Sequence, residues 1–98
     1  MVFEVGRLVV KLAGRDAGRL GVIVRKVDEL FVVVTGPKKF TGLRRRKVNI
    51  RHLEPLQEKI DIPEDAPDEV VWEKLKEVLR SWPEEKLRRF KLRKELLQ

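Results

Sequence analysis

The chain has no cysteine and no tyrosine, a single histidine (His52) and a single serine (Ser81). Without thiols there is neither a disulfide framework nor a thiolate metal site. One histidine and one serine leave almost nothing from which to build a nucleophile and its base. No metal site is expected, because a lone histidine beside Arg51 lacks converging partners. Long apolar runs are also missing, and none approaches the roughly 20 residues of a membrane helix. The opening "MVFEVGRLVVKLAG" is interrupted by Glu4, Arg7 and Lys11, unlike a secretory signal. These absences predict a cytoplasmic chain that is not an enzyme, carries no cofactor or metal and does not enter a membrane.

Charge is abundant instead. Of 98 residues, 40% are charged and the net charge is +7. Its distribution says more than the total. Residues 1–55 hold 13 Lys/Arg against 5 Asp/Glu, an excess of eight, whereas residues 56–98 hold 10 against 11. A thermostable protein can be this highly charged, but that does not explain the asymmetry. A positive half points to a polyanionic partner.

Gly6 to Ala13, "GRLVVKLA", alternates with Leu8, Val10 and Leu12 on one face and Arg7, Val9 and Lys11 on the other, as in a half-buried strand. Leu20 to Val27 and Leu30 to Thr35 are β-branched-rich runs separated by Asp28-Glu29, which predicts a hairpin. "TGPKKFTG", Thr35 to Gly42, reads as a loop carrying Lys38 and Lys39. A basic strand at about Arg44 to Val48 and a closing strand through "NIRHLEPL" complete five short strands. That number in about 55 residues predicts a small, strongly bent SH3-like barrel over residues 1–62.

Composition changes at "DIPEDAPDE", Asp61 to Glu69, where prolines and acids mark a linker and a helix start. Val71, Leu75, Val78, Leu79 and Trp82 recur at helical spacing. "SWPE", Ser81 to Glu84, has capping-box spacing for a second helix, with Leu87, Phe90 and Leu97 as its apolar stripe. Residues 63–98 are therefore expected to form two helices appended to the barrel.

The candidate binding residues fall in three basic elements. "LRRRKVNIRH", Leu43 to His52, packs Arg44, Arg45, Arg46, Lys47 and Arg51 with Asn49 and His52 into ten residues. On a strand, Arg44 and Arg46 should face one way and Arg45 and Lys47 the other. Charge that merely guards a sheet edge is the structural alternative. The preceding loop adds Lys38 and Lys39. The corner "GRDAGRLGVIV", Gly14 to Val24, displays Arg15 and Arg19, with Lys11 on the strand before it. Gly14 and Gly18 supply the positive φ of a tight reversal. Arginine forks suit bidentate phosphate contacts, and aromatic residues are too few for a stacking platform. Recognition of nucleic-acid backbone and shape fits best.

This strand–corner–strand unit resembles the KOW motif. Over a longer span, "VGRLVVKLAGRDAGRLGVIV", "FVVVTGPKKFTGLRRRKVNIRHLEP" and "KIDI" resemble the archaeal and eukaryotic ribosomal protein L-fourteen-e family of the large subunit, from about Phe3 to Ile62. The resemblance implies a KOW-containing SH3-like barrel followed by helices. It also implies a structural role on large-subunit ribosomal RNA beside neighbouring ribosomal proteins; the isolated chain is expected to be a monomer. The basic elements it carries over are Arg7, Arg15, Arg19, Lys38, Lys39 and Arg44 to Lys47, with Asn49 and His52. The short tail looks archaeal. The alternative reading is a free-standing KOW-type module that docks on protein in transcription–translation coupling.

Overall fold

In the computed structural model, which describes residues 2–97, the β-branched runs become five antiparallel strands. These are β1 (Arg7–Lys11), β2 (Leu20–Lys26), β3 (Phe31–Thr35), β4 (Arg46–Asn49) and β5 (Leu53–Lys59). They form one sheet in the order β4-β3-β2-β1-β5, with Leu8 opposite Val22 and Val32 opposite Val48. The sheet is not closed by hydrogen bonds, and β4 and β5 are its edges. A 3-10 turn, Ile50–His52, joins those two edge strands. Register shifts between Arg7 and Val9 and between Ile23 and Arg25 bend the strands.

The β1–β2 corner forms as its glycines predict. Gly14 and Gly18 have φ of 93° and 84°, a region costly for residues with a Cβ. The Gly18 amide donates to the Lys11 carbonyl at 2.7 Å, and the Lys11 amide to the Arg19 carbonyl at 3.0 Å. The β2–β3 hairpin turns without glycine because Asp28 does its work. The Asp28 carboxylate accepts from the amides of Leu30 and Phe31 at 2.8 and 2.9 Å, an Asx-type turn.

Several local expectations need correcting. The segment read as a loop contains a helical turn, α1 (Lys38–Thr41), closed by Gly42 in the left-handed region. Pro37 precedes it, and the amides of Phe40 and Thr41 both donate to the Pro37 carbonyl. The basic strand begins at Arg46 and not Arg44, because only residues from 46 onward pair with β3. Ser81 caps no helix: its hydroxyl donates back to the Val78 carbonyl at 2.7 Å, so it closes the preceding helix. The tail helices are α2 (Asp68–Leu79) and α3 (Glu84–Arg89), followed by a 3-10 turn at Lys94–Leu97. Lys91 takes a positive φ of 62°, which ends the helical run before Leu97 can join the stripe on α3.

Both faces of the sheet are covered. One apolar cluster draws Val9, Ile23, Val32, Val34, Val48 and Leu53 from all five strands, together with Leu43. The other joins Leu8, Val10, Leu20, Val22 and Val24 to Val71, Trp72, Leu75 and Leu79 of α2 and to Trp82, Leu87 and Phe90 beyond it. The half-buried alternation expected of β1 is therefore replaced by burial on both sides, while Leu12 is exposed past the strand end. Gly21 sits where this packing is tightest. A Cβ added there would collide with the Leu43 side chain and lie 3.3 Å from the Thr35 carbonyl oxygen.

Candidate nucleic-acid interface

The corner places an acid among its cations. Lys11 is buried, and its Nζ donates to the Ala13 carbonyl at 2.7 Å and to Asp16 Oδ1 at 2.8 Å. Asp16 Oδ2 lies 3.9 Å from the Arg46 guanidinium. Burial alone would push the Asp16 carboxyl up. The hydrogen bond and charge of Lys11, its own backbone amide and Arg46 together outweigh burial and hold the carboxyl below the usual carboxylate range. With Lys11 neutralising Asp16, the corner's remaining arginines stay available.

Those arginines converge with the loop and β4. Arg15, Arg19, Lys38, Arg44 and Arg46 surround one shallow depression of about 300 Å³, with Asp16 and Gly42 in its wall. Among the described residues, Arg15, Arg19, Lys38 and Arg44 have no ion pair or side-chain hydrogen bond within the chain. Five cations and one already-paired acid leave the depression strongly positive. Arg46 also borders a second depression of about 240 Å³ with Lys11, Lys47, Asn49, His52 and Phe31. The basic surface therefore continues across β4.

The other sequence-predicted residues divide. Arg7 is occupied: its guanidinium donates to the carbonyls of Val2 and Gln57, both at 2.9 Å, to that of Leu56 at 3.4 Å, and to Glu4 at 2.8 Å. It fills the irregularity where β1 and β5 lose register. Arg45 points away from the depression, donating to the Ala66 carbonyl and to Asp68 Oδ1 at 2.9 Å. Arg44 and Arg46 thus share the first depression without Arg45, but Lys47, expected on the side of Arg45, lines the second depression with Arg46. Lys47 covers the Phe31 ring at 4.9 Å and Lys39 lies 5.7 Å from the Phe40 ring. The Asn49 carboxamide accepts the Arg51 amide at 2.9 Å, capping the 3-10 turn, while the side chains of Arg51 and His52 are exposed.

Sequence reasoning missed Asp16 as the organising acid, although its position inside an Arg-rich corner was a signal. It also missed Asp68 and Trp72, which hold the loop from the helical tail. Asp68 accepts both Arg45 and the Thr35 hydroxyl, and Trp72 stacks on Phe40 with ring centroids 4.1 Å apart. Among the described residues no group of three or more His, Cys, Asp or Glu could hold a metal, and no helix is long and apolar enough to cross a membrane.

No protein-family model matches the chain. Individual proteins do. Large ribosomal subunit protein eL14 of Pyrobaculum islandicum is 59% identical over 70 residues, covering 71% of this chain and 68% of that protein. The protein of the same name from Aeropyrum pernix is 58% identical over 76 residues, 78% of this chain and 76% of its own length. That of Saccharolobus solfataricus is 58% identical over 74 residues, 76% and 77% of the two chains. Identity at this level over most of both chains carries one conclusion: the chain belongs to the family of large ribosomal subunit protein eL14, ribosomal structural proteins rather than enzymes.

Proposed function

We propose that this chain is a structural component of the large ribosomal subunit that holds ribosomal RNA by its backbone phosphates. The contact surface runs from Arg15, Arg19, Lys38, Arg44 and Arg46 to Lys47, Arg51 and His52. The observation that carries this reading is the convergence of four unpaired cations on one depression. Charges crowded this way repel one another unless an anion joins them. Backbone contact is favoured over base stacking because the aromatic faces are already in use. Phe31 is covered by Lys47 and Phe40 by Trp72.

The fold reading that fits this function is an SH3-like barrel with a KOW corner. Its support is an apolar cluster fed by all five strands, two bends in strand pairing, and a 3-10 turn between the edge strands. In this reading residues 1–62 carry the RNA surface and residues 63–98 cover the outer face of the sheet. The isolated chain is monomeric and cytoplasmic. Arg46 and Lys47 on β4 and Pro55 on β5 discourage edge-to-edge pairing. Neighbouring ribosomal proteins complete its surroundings.

The test is binding to large-subunit ribosomal RNA stripped of protein, across a range of salt. Contact with about five phosphates gives a log–log slope on the order of −3.5 to −4.5. A slope near zero removes the electrostatic basis of the proposal. Strong discrimination between RNAs of similar shape and different sequence overturns the backbone mode.

A further inference from the structure

Residues 36–45 should be a poor binding element by composition. They contain two glycines and a proline, and free in solution such a segment samples many shapes that binding would have to select among. The folded chain removes that freedom from three directions. At the start of the segment, the Thr35 hydroxyl donates to Asp68 Oδ1 at 3.1 Å. At its end, Arg45 donates to the same oxygen at 2.9 Å and to the Ala66 carbonyl. In the middle, the Phe40 ring lies parallel to that of Trp72 within 1°, at 4.1 Å between centroids. One carboxylate and one indole, both on the first turns of α2, thus grip the two ends and the centre of the segment. Lys38 and Arg44, the unpaired cations of that segment, lie between the grips.

We infer that the N-terminal turns of α2 hold this segment in its RNA-competent shape, with Asp68 and Trp72 acting as positioning residues through Arg45 and Phe40. The inference rests on the RNA reading above. It assigns the helical tail a part in binding without any contact to RNA. Pre-ordering of this kind raises affinity by removing the ordering cost from the binding step, not by adding contacts.

Two variants test it, one from each side. Phe40→Leu removes the ring stack, and Phe40→Tyr is its conservative rescue. Asp68→Ala removes the shared carboxylate from both ends, leaving Arg45 only its bond to the Ala66 carbonyl. Binding to protein-free large-subunit ribosomal RNA is measured on folded protein, with hydrogen exchange at the Phe40, Thr41 and Gly42 amides measured without RNA. Phe40→Leu and Asp68→Ala are each expected to weaken binding about tenfold, within the usual range for coupling between sites. The salt slope should stay at the wild-type value, because the same phosphates are finally contacted. The three amides should exchange faster, and Phe40→Tyr should restore both readouts. Asp68→Ala is the sharpest arm: it raises the net positive charge, so bulk electrostatics alone predicts tighter binding. Tighter or unchanged binding by Asp68→Ala, or unaltered exchange in both variants, overturns the inference. A parallel Arg44→Gln variant separates the two levels. If it weakens binding while the positioning variants do not, the positioning role fails and the RNA surface stands. If it too binds like wild type, the RNA surface itself is wrong.

Discussion

Lys11 and Asp16 close the β1–β2 corner upon themselves, with Nζ 2.8 Å from Oδ1 and both side chains nearly covered. The pair makes the corner sensitive to acid. Because the folded Asp16 carboxyl titrates below its ordinary value of about 3.9, its ionised form stabilises the fold. That contribution is fully present above the unfolded value and is lost as pH falls through the folded one. Denaturation of wild type and Asp16→Asn at pH 7, 5, 3 and 2 should show a stability gap that is widest at pH 7 and 5 and narrows below about pH 4. A gap independent of pH would show that the pair contributes nothing electrostatic.

Arg44 and Arg45 are adjacent yet should behave oppositely. Arg44 is unpaired at the depression, so Arg44→Gln should flatten the salt slope of RNA binding by about 0.7 to 0.9 and leave stability unchanged within about 0.5 kcal/mol. Arg45 is bonded to Ala66 and Asp68, so Arg45→Gln should lower stability by about 1 kcal/mol with little change in slope. Salt titrations and denaturant melts on the same two proteins decide it. Identical behaviour would mean that only bulk charge matters.

Replacing Arg15, Arg19 and Arg44 together with Gln should cost far more RNA affinity than replacing Arg88, Arg89 and Arg93 of the tail. Both triple variants lose three charges, so the comparison isolates position from charge. Equal losses would dissolve the proposed surface.

Gly18 has a positive φ with open space around its missing Cβ, so only backbone strain opposes a side chain there. Gly18→Ala should therefore cost about 1–2 kcal/mol, and Gly18→Asn less, because asparagine tolerates the left-handed region. Thermal melts of the two variants check the order.

The chain cut after Ile62 would lose the cover from Leu8, Val10, Leu20, Val22 and Val24, all buried beneath the tail helices. We expect that fragment to be much less stable and to self-associate through the uncovered face, as seen by circular dichroism and sedimentation. Within the full chain, Leu75→Ala removes a fully buried contact of the same cluster and should cost about 2–5 kcal/mol. A monomeric, cooperatively folded fragment would show instead that the sheet needs no cover.

Local chemistry was legible in the sequence, and distant partnership was not. The β-branched runs of the strands, the glycines of the corner and the helical spacing of Val71, Leu75 and Leu79 each act within a few residues, so pattern reveals them. Burial of both faces of β1 depends on α2, far along the chain, and was not legible. Arg45 read as an RNA ligand for the same reason that Arg44 did, whereas Arg7 did so through the family resemblance, with Glu4 three residues away as a local signal of its pairing. What otherwise engages them is the carbonyl of Gln57, fifty residues from Arg7, and Asp68, 23 residues from Arg45. The helical turn at Lys38–Thr41 was hidden because the residues that flank it, Gly36, Pro37 and Gly42, are also those of an open loop. The register shift that draws in Arg7 leaves no local trace either.

The contact between Gly21 and Leu43 has a consequence for how such a sequence can change over time. Leu43 occupies the space where a side chain on residue 21 would go, and it stands directly before the unpaired Arg44. The exposed side chains of Arg44 and Arg46 face no packed neighbour of this kind, so packing leaves those positions free to vary one at a time. Residues 21 and 43 are not. A larger residue at 21 is tolerable only if 43 has become smaller, so the two positions should vary as a pair across descendants of a common ancestor. The part of the basic stretch under the tightest inheritance is then the uncharged leucine that opens it.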